Sequence, residues 1–129
     1  MNAKQISPTI CVEDPAASRD FYIKHFGADV VFDAGWYINV RIGAGELCFM
    51  KPPDPTQPLF AGQGLTYNLE VEDVDAEHAR LTGEGLTPIM PLEDHPWGDR
   101  GFCVLDPNGV GLYIYTTTEP SAEFKQFYK

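Results

Sequence analysis

The chain states one pattern twice. Val12-Glu13-Asp14 opens a helical stretch that closes near Gly27, and Val71-Glu72-Asp73 opens another that closes near Gly85. A short alternating segment precedes each acidic start, Thr9-Ile10-Cys11-Val12 in one copy and Tyr67-Asn68-Leu69-Glu70-Val71 in the other. About three more strand-like segments follow each helix. Alternation of apolar and polar residues reads as a half-buried strand, whereas apolar residues at helical spacing read as an amphipathic helix. Each copy is therefore a βαβββ unit. The pattern predicts an α+β fold: two tandem βαβββ units forming a half-open curved sheet with the helices on its convex face.

The local signals agree. Asp14 and Asp73 are good helix caps, and Pro15 falls at the first helical position, where its missing N–H costs nothing. Val30 to Phe32 is β-prone, and Trp36 to Ile42 alternates. Gly43-Ala44-Gly45 turns the chain into a return strand, Glu46 to Met50. In the second copy Thr87 to Met90 reads as a short strand and Glu93 to Gly98 as a loop. Phe102 to Leu105 and Leu112 to Thr116 read as strands joined by the tight turn Asp106-Pro107-Asn108-Gly109. Residues 52–64 hold four prolines and two glycines and read as a linker. The expected organisation is one domain, residues 1–129, with unit 1 at about 6–51, unit 2 at about 65–116 and a tail at 117–129. Phe124, Phe127 and Tyr128 give that tail a short amphipathic helix.

Composition narrows the function. The chain has 129 residues and a formal net charge of −10. Such acidity repels phosphate backbones, so nucleic acid is excluded as a partner, and it favours cationic ligands. No apolar run approaches the ~18 residues of a membrane span, which predicts a soluble, cytoplasmic protein with no membrane partner. Three well-separated cysteines, Cys11, Cys48 and Cys103, without a CxxC spacing, predict reduced and buried thiols.

Strand parity separates two sets of side chains. Ile10, Val12, Leu47, Phe49, Leu69, Val71, Leu112 and Ile114 should pack under the helices. Ser7, Thr9, Cys48, Met50, Thr66, Asn68, Glu70, Tyr113 and Tyr115 fall on the opposite faces. That second set mixes polar and aromatic groups, which suits a surface lining a ligand better than a dry core. Phe32, Trp36, Tyr37 and Asn39 on the first hairpin, and Trp97 and Arg100 near the second, complete the expected ligand-binding set with Cys48, Met50, Thr66, Asn68, Glu70 and Tyr113. Trp36 offers a stacking platform, and Arg100 either meets an acidic group on the ligand or pairs with Asp99 or Glu93. No Ser–His–Asp or Cys–His arrangement is legible, so no catalytic residue is assigned.

The segments Val12-Glu13-Asp14-Pro15-Ala16-Ala17-Ser18-Arg19-Asp20-Phe21-Tyr22 and Phe102-Cys103-Val104-Leu105-Asp106-Pro107-Asn108-Gly109 resemble the vicinal-oxygen-chelate superfamily of glyoxalases, bleomycin-resistance proteins and extradiol dioxygenases. The resemblance implies four metal-ligand positions. Ser7, Thr66 and Tyr113 stand at three of them, and Cys48 or Glu46 at the fourth. Ser, Thr and Tyr are poor neutral ligands for a divalent ion. His95 is the one histidine placed in a loop able to reach a pocket, whereas His25 and His78 sit on helices. The resemblance is accordingly nearest to the metal-free bleomycin-resistance type. Pro8 and the segment His95-Pro96-Trp97-Gly98-Asp99-Arg100-Gly101-Phe102 are similar to features of that type. It implies non-catalytic binding of a small organic molecule, aromatic or cationic, in a cleft at a homodimer interface, with no metal or other cofactor. A metal-dependent lyase, isomerase or dioxygenase is the second reading, and a sensor or carrier module the third.

Overall fold

The computed structural model describes every residue, Met1–Lys129, and the chain divides into two compact units, Met1–Gln63 and Gly64–Lys129. In the first unit β1 (Thr9–Cys11) leads into α1 (Pro15–Phe26), followed by β2 (Asp29–Asp33), β3 (Tyr37–Ile42) and β4 (Gly45–Met50). In the second, β5 (Thr66–Glu70) leads into α2 (Val74–Gly83), then β6 (Met90–His95), β7 (Asp99–Leu105) and β8 (Gly111–Thr117), and α3 (Ala122–Lys125) closes the chain. Each unit makes its own open four-stranded sheet, in the order β1-β4-β3-β2 and β5-β8-β7-β6. The first and last strands of each unit are parallel neighbours and the others antiparallel. The repeated βαβββ reading is therefore the fold.

The caps work as the residue types dictate. Asp14 Oδ1 accepts the amide of Ala17 at 3.1 Å, and Asp73 Oδ1 that of Ala76 at 3.0 Å. Gly27 ends α1 at φ 62°, a left-handed conformation that costs glycine nothing. The stripe that α1 buries is Pro15, Ser18, Tyr22 and His25, with Tyr22 stacked on Phe49 of β4. In the second unit Val74 and Leu81 of α2 are buried, and His78 meets Phe102 edge-on. The apolar core of each unit lies between its helix and one face of its sheet: Ile10, Val12, Ile38, Val40 and Phe49 in the first, Phe102, Val104, Leu112 and Ile114 in the second. Ile10, Val12, Phe49, Leu112 and Ile114 are positions that parity assigned to the helix side; Leu47, Leu69 and Val71, assigned with them, are half-buried.

Two expectations need correction. The segment read as a short strand ending at Met90 and then a loop is instead strand β6, which runs on to His95 with an irregularity between Met90 and Glu93. Pro91 lies at that irregularity, on an edge strand, where a missing N–H is tolerated. Strand β7 begins at Asp99, three residues earlier than expected. The tail forms a single turn of helix, with Phe124 half-buried and Phe127 and Tyr128 exposed. All three cysteines are free; Cys48 and Cys103 are buried and Cys11 is half-buried. No helix is long and apolar enough to cross a membrane.

Candidate functional site

The helix-free face of each sheet carries the polar and aromatic side chains. On the first sheet the register sets Thr9 opposite Cys48, Asn39 opposite Cys48, Arg41 opposite Glu46 and Tyr37 opposite Met50. Facing residues in a ladder project to the same side, so these side chains share one surface. Its organising group is Glu46. Its carboxylate accepts from Asn39 Nδ2 at 3.1 Å, Gln5 Nε2 at 3.0 Å and the Arg41 guanidinium at 2.9 Å. These three partners, Asn39 foremost, hold the Glu46 carboxyl below its ordinary pKa. Asn39 gives its amide N–H to Glu46, and its Oδ1 is buried with no partner. At the outer edge Phe32 and Trp36 are 53% and 56% exposed and meet Tyr37 edge-on at 6.1 and 5.9 Å. A hydrogen bond with Cys48 raises the Tyr37 pKa, and the phenol stands 3.4 Å from Thr9 Oγ1.

On the second sheet Thr66, Asn68 and Glu70 lie opposite Gly111, Tyr113 and Tyr115, and Cys103 and Gly101 flank the two tyrosines on the other side. Tyr113 and Tyr115 stack at 5.7 Å. Beside them is a tight buried cluster that the loop reading of residues 93–98 had hidden. The turn Pro96-Trp97-Gly98 returns the chain so that His95 pairs with Asp99. Asp99 Oδ1 accepts from His95 Nδ1 at 2.8 Å and from the Tyr113 hydroxyl at 2.7 Å; Asp99 Oδ2 accepts from Trp97 Nε1 at 2.8 Å. The indole of Trp97 lies flat on the imidazole of His95, with centroids 4.3 Å apart and planes 5° apart. A carboxylate only accepts, so the hydrogen between Asp99 and His95 belongs to Nδ1. Burial, and then the bond to Asp99, raises the Tyr113 pKa and keeps this phenol a donor. The close packing requires Gly101: a Cβ there would lie 2.6 Å from Tyr113 Oη. The tail holds the turn from outside, since Gly98 O accepts from Thr118 N, Pro96 O from Ser121 N, and Trp97 O from the Tyr128 hydroxyl.

The expected ligand set thus divides. Tyr37, Asn39, Cys48 and Met50 share the first face, with Phe32 and Trp36 at its edge. Thr66, Asn68, Glu70 and Tyr113 share the second, with Trp97 beside the cluster. Arg100 is elsewhere. It alternates with Asp99, projects to the helix side and binds Asp75 of α2 at 2.9 and 3.1 Å, with Asp94 at 3.4 Å. Asp75 is the first cause of the raised Arg100 pKa. Sequence reasoning missed His95 and Asp99 as a pair. The one signal was the Pro-Trp-Gly turn, which sets the residues flanking it face to face.

The donor set does not fit a metal. Thr9 opposes Cys48 as Asn68 opposes Tyr113, which makes Cys48, not Glu46, the counterpart of Tyr113. Ser7 and Thr66 are exposed hydroxyls, Tyr113 is a phenol held neutral, and Cys48 stands alone among them as a soft donor. No three His, Cys, Asp or Glu side chains are grouped to hold an ion.

Comparison with known proteins gives consistent findings. The family model of the Glyoxalase/Bleomycin resistance protein/Dioxygenase superfamily matches residues 4–114. An uncharacterized protein of Mycobacterium bovis is 33% identical over 119 residues, covering 81% of this chain and 77% of its own. Among solved structures, TnmS3, an antibiotic binding protein from Streptomyces sp. CB03234, superposes with a TM-score of 0.74 at 26% identity over 92% of this chain and 99% of its own. TioX from Micromonospora sp. ML1 superposes at 0.73 with 22% identity over 89% and 99%, a likeness of fold.

Proposed function

The chain belongs to the glyoxalase/bleomycin resistance protein/dioxygenase superfamily, and on that premise we propose that it binds a small, flat, aromatic organic molecule without transforming it, as an antibiotic-sequestering protein does. The observation that carries this reading is the pair of open sheet faces lined by aromatic rings: Phe32, Trp36 and Tyr37 on one, stacked Tyr113 and Tyr115 on the other. Phe32 and Trp36 are exposed and the three tyrosines half-buried, and rings fixed at a sheet surface offer large contact area to planar ligands at small entropic cost. The polar groups between them, Asn39, Asn68 and Thr66, fix orientation. Three of the four presumed ligand positions hold neutral hydroxyls and Cys48 alone offers a metal donor, so the ring faces are the part of the site fitted for work. The antibiotic binding assigned to TnmS3 supports the same direction.

The protein acts as a homodimer in this proposal, with the ligand in a cleft to which a second copy contributes. The test is a screen by tryptophan fluorescence and thermal shift across glycopeptide, quinone-type and peptide antibiotics, run beside methylglyoxal–glutathione and catechols. Saturable binding of an antibiotic, with quenching and without turnover, is the expected result. Turnover of methylglyoxal–glutathione or a catechol on addition of a divalent metal overturns it in favour of the enzyme reading.

A further inference from the structure

His95 is buried to the point that its side chain is 7% exposed, yet only one of its nitrogens is satisfied. Nδ1 carries the hydrogen given to Asp99, and Nε2 is buried with no partner. What Nε2 faces is the Glu93 carboxylate, with Oε1 at 3.5 Å, too far for a hydrogen bond. The Glu93 side chain is 56% exposed. At that separation neither group completes the other, and Nε2 stays without a partner.

The charge around the pair is acidic. Glu70, Glu93 and Asp99 project to this face, while Arg100 is turned to Asp75, Arg80 binds Glu77 and Glu84 along α2, and Lys125 binds Glu119. The other buried polar atom without a partner, Asn39 Oδ1 on the first sheet, is also an acceptor. Buried acceptors left without donors are costly unless something completes them. A donor with two or more hydrogens, carrying positive charge, completes the Glu93–His95 pair.

We infer that Glu93 and His95 Nε2 form an acceptor subsite on the open face of the second sheet that takes a protonated primary amine of the bound molecule. One hydrogen of the ammonium goes to Nε2 and another to the Glu93 carboxylate, while the ligand's ring system lies toward Tyr113 and Tyr115. Asp99 is the positioning residue: by taking the hydrogen of Nδ1 it leaves the buried Nε2 as an acceptor. The inference rests on the ligand-binding reading above and adds to it the charge and the hydrogen-bonding group of the ligand.

Long-range proton–nitrogen correlation spectra of the histidine rings in the full chain at neutral pH test it, with His95→Gln identifying the His95 signals. The expected spectrum has hydrogen on Nδ1 and a bare Nε2. Benzylammonium should then shift Nε2 saturably, benzyl methyl ether should not, and Glu93→Gln, an exposed and structurally mild change, should weaken the benzylammonium response at least fivefold. Hydrogen on both nitrogens in the free protein overturns the inference, as does an equal response to the ether, an unchanged response in Glu93→Gln, or no shift with benzylammonium. Its failure is separable from that of the ligand-binding reading. An antibiotic that binds equally to wild type and Glu93→Gln keeps that reading and removes the subsite. An amine response with no antibiotic bound does the reverse.

Discussion

Asp99 is the residue on which the second face depends, and its replacement is the sharpest structural test. One carboxylate, 11% exposed, takes hydrogen bonds from an imidazole, an indole and a phenol, all between 2.7 and 2.8 Å. Hydrogen bonds to a charged group contribute about 1.5–3 kcal/mol each, and a buried donor left unpaired costs about 1–3 kcal/mol. The three terms do not add, because they share one acceptor and because Trp97, at 39% exposure, can turn its N–H to water. His95 Nδ1 and the Tyr113 hydroxyl, 3.0 Å apart, can bond each other, but only one of the two then donates. Asp99→Ala should therefore lose about 3–4 kcal/mol, and Asp99→Asn, which keeps an oxygen for His95 and Tyr113 but sets an N–H against the indole, about 1–2 kcal/mol. Against a typical domain stability of about 5–15 kcal/mol, the alanine variant should still fold. Urea unfolding followed by tryptophan emission, in a Trp36→Phe background so that Trp97 reports alone, measures both. A loss below about 1 kcal/mol in Asp99→Ala, with Trp97 emission unchanged, would refute the reasoning that this cluster is held by its carboxylate.

Four further outcomes follow from the same geometry. Gly101→Ala should cost about 1–3 kcal/mol and displace Tyr113, since the new Cβ would meet Tyr113 Oη at 2.6 Å and Ile114 O at 2.9 Å; urea midpoints and the Tyr113 ring resonances check it. The raised Tyr113 pKa means the folded chain holds that proton more firmly than the unfolded chain; its stabilisation is full below the ordinary tyrosine value of about 10 and is lost as pH rises through the folded value. Urea midpoints should therefore fall with alkaline pH, and fall less in Tyr113→Phe. Trp36→Ala should leave stability within about 0.5 kcal/mol, the residue being exposed, while weakening ligand binding by about 1–3 kcal/mol in calorimetry. Light scattering at micromolar concentration should return twice the 14.3 kDa chain mass, and a monomer would remove the dimer from the proposal.

The fold was legible because its signals are local and redundant. Asp14 and Asp73 cap helices that any sequence reader would start there, and the parity of Ile10, Val12, Phe49, Leu112 and Ile114 is the parity of the core. The make-up of the two helix-free sheet faces was legible only where parity reached it. Thr66, Asn68, Glu70 and Tyr113 follow from alternation along β5 and β8. Arg100 does not, although counting back from buried Phe102 puts it on the helix side, where Asp75 holds it. His95 and Asp99 escaped because Pro91 and Pro96 bracket a segment whose composition says loop, while the edge of a sheet tolerates proline wherever no ladder N–H is required. Their contact is a product of register, which depends on the turn between them. The ordering of Gln5, Asn39 and Arg41 around the Glu46 carboxylate lay equally beyond periodicity, since it depends on which of several polar neighbours finds which.

The central claim is that this member of the superfamily holds its molecule and returns it unchanged. The most direct measurement takes the tightest-binding antibiotic from the screen, incubates it with the protein at saturation, with and without added divalent metal, and recovers it after denaturation for mass spectrometry. The account predicts intact antibiotic in near-stoichiometric yield under both conditions. An altered mass that grows with time in the presence of metal would contradict it.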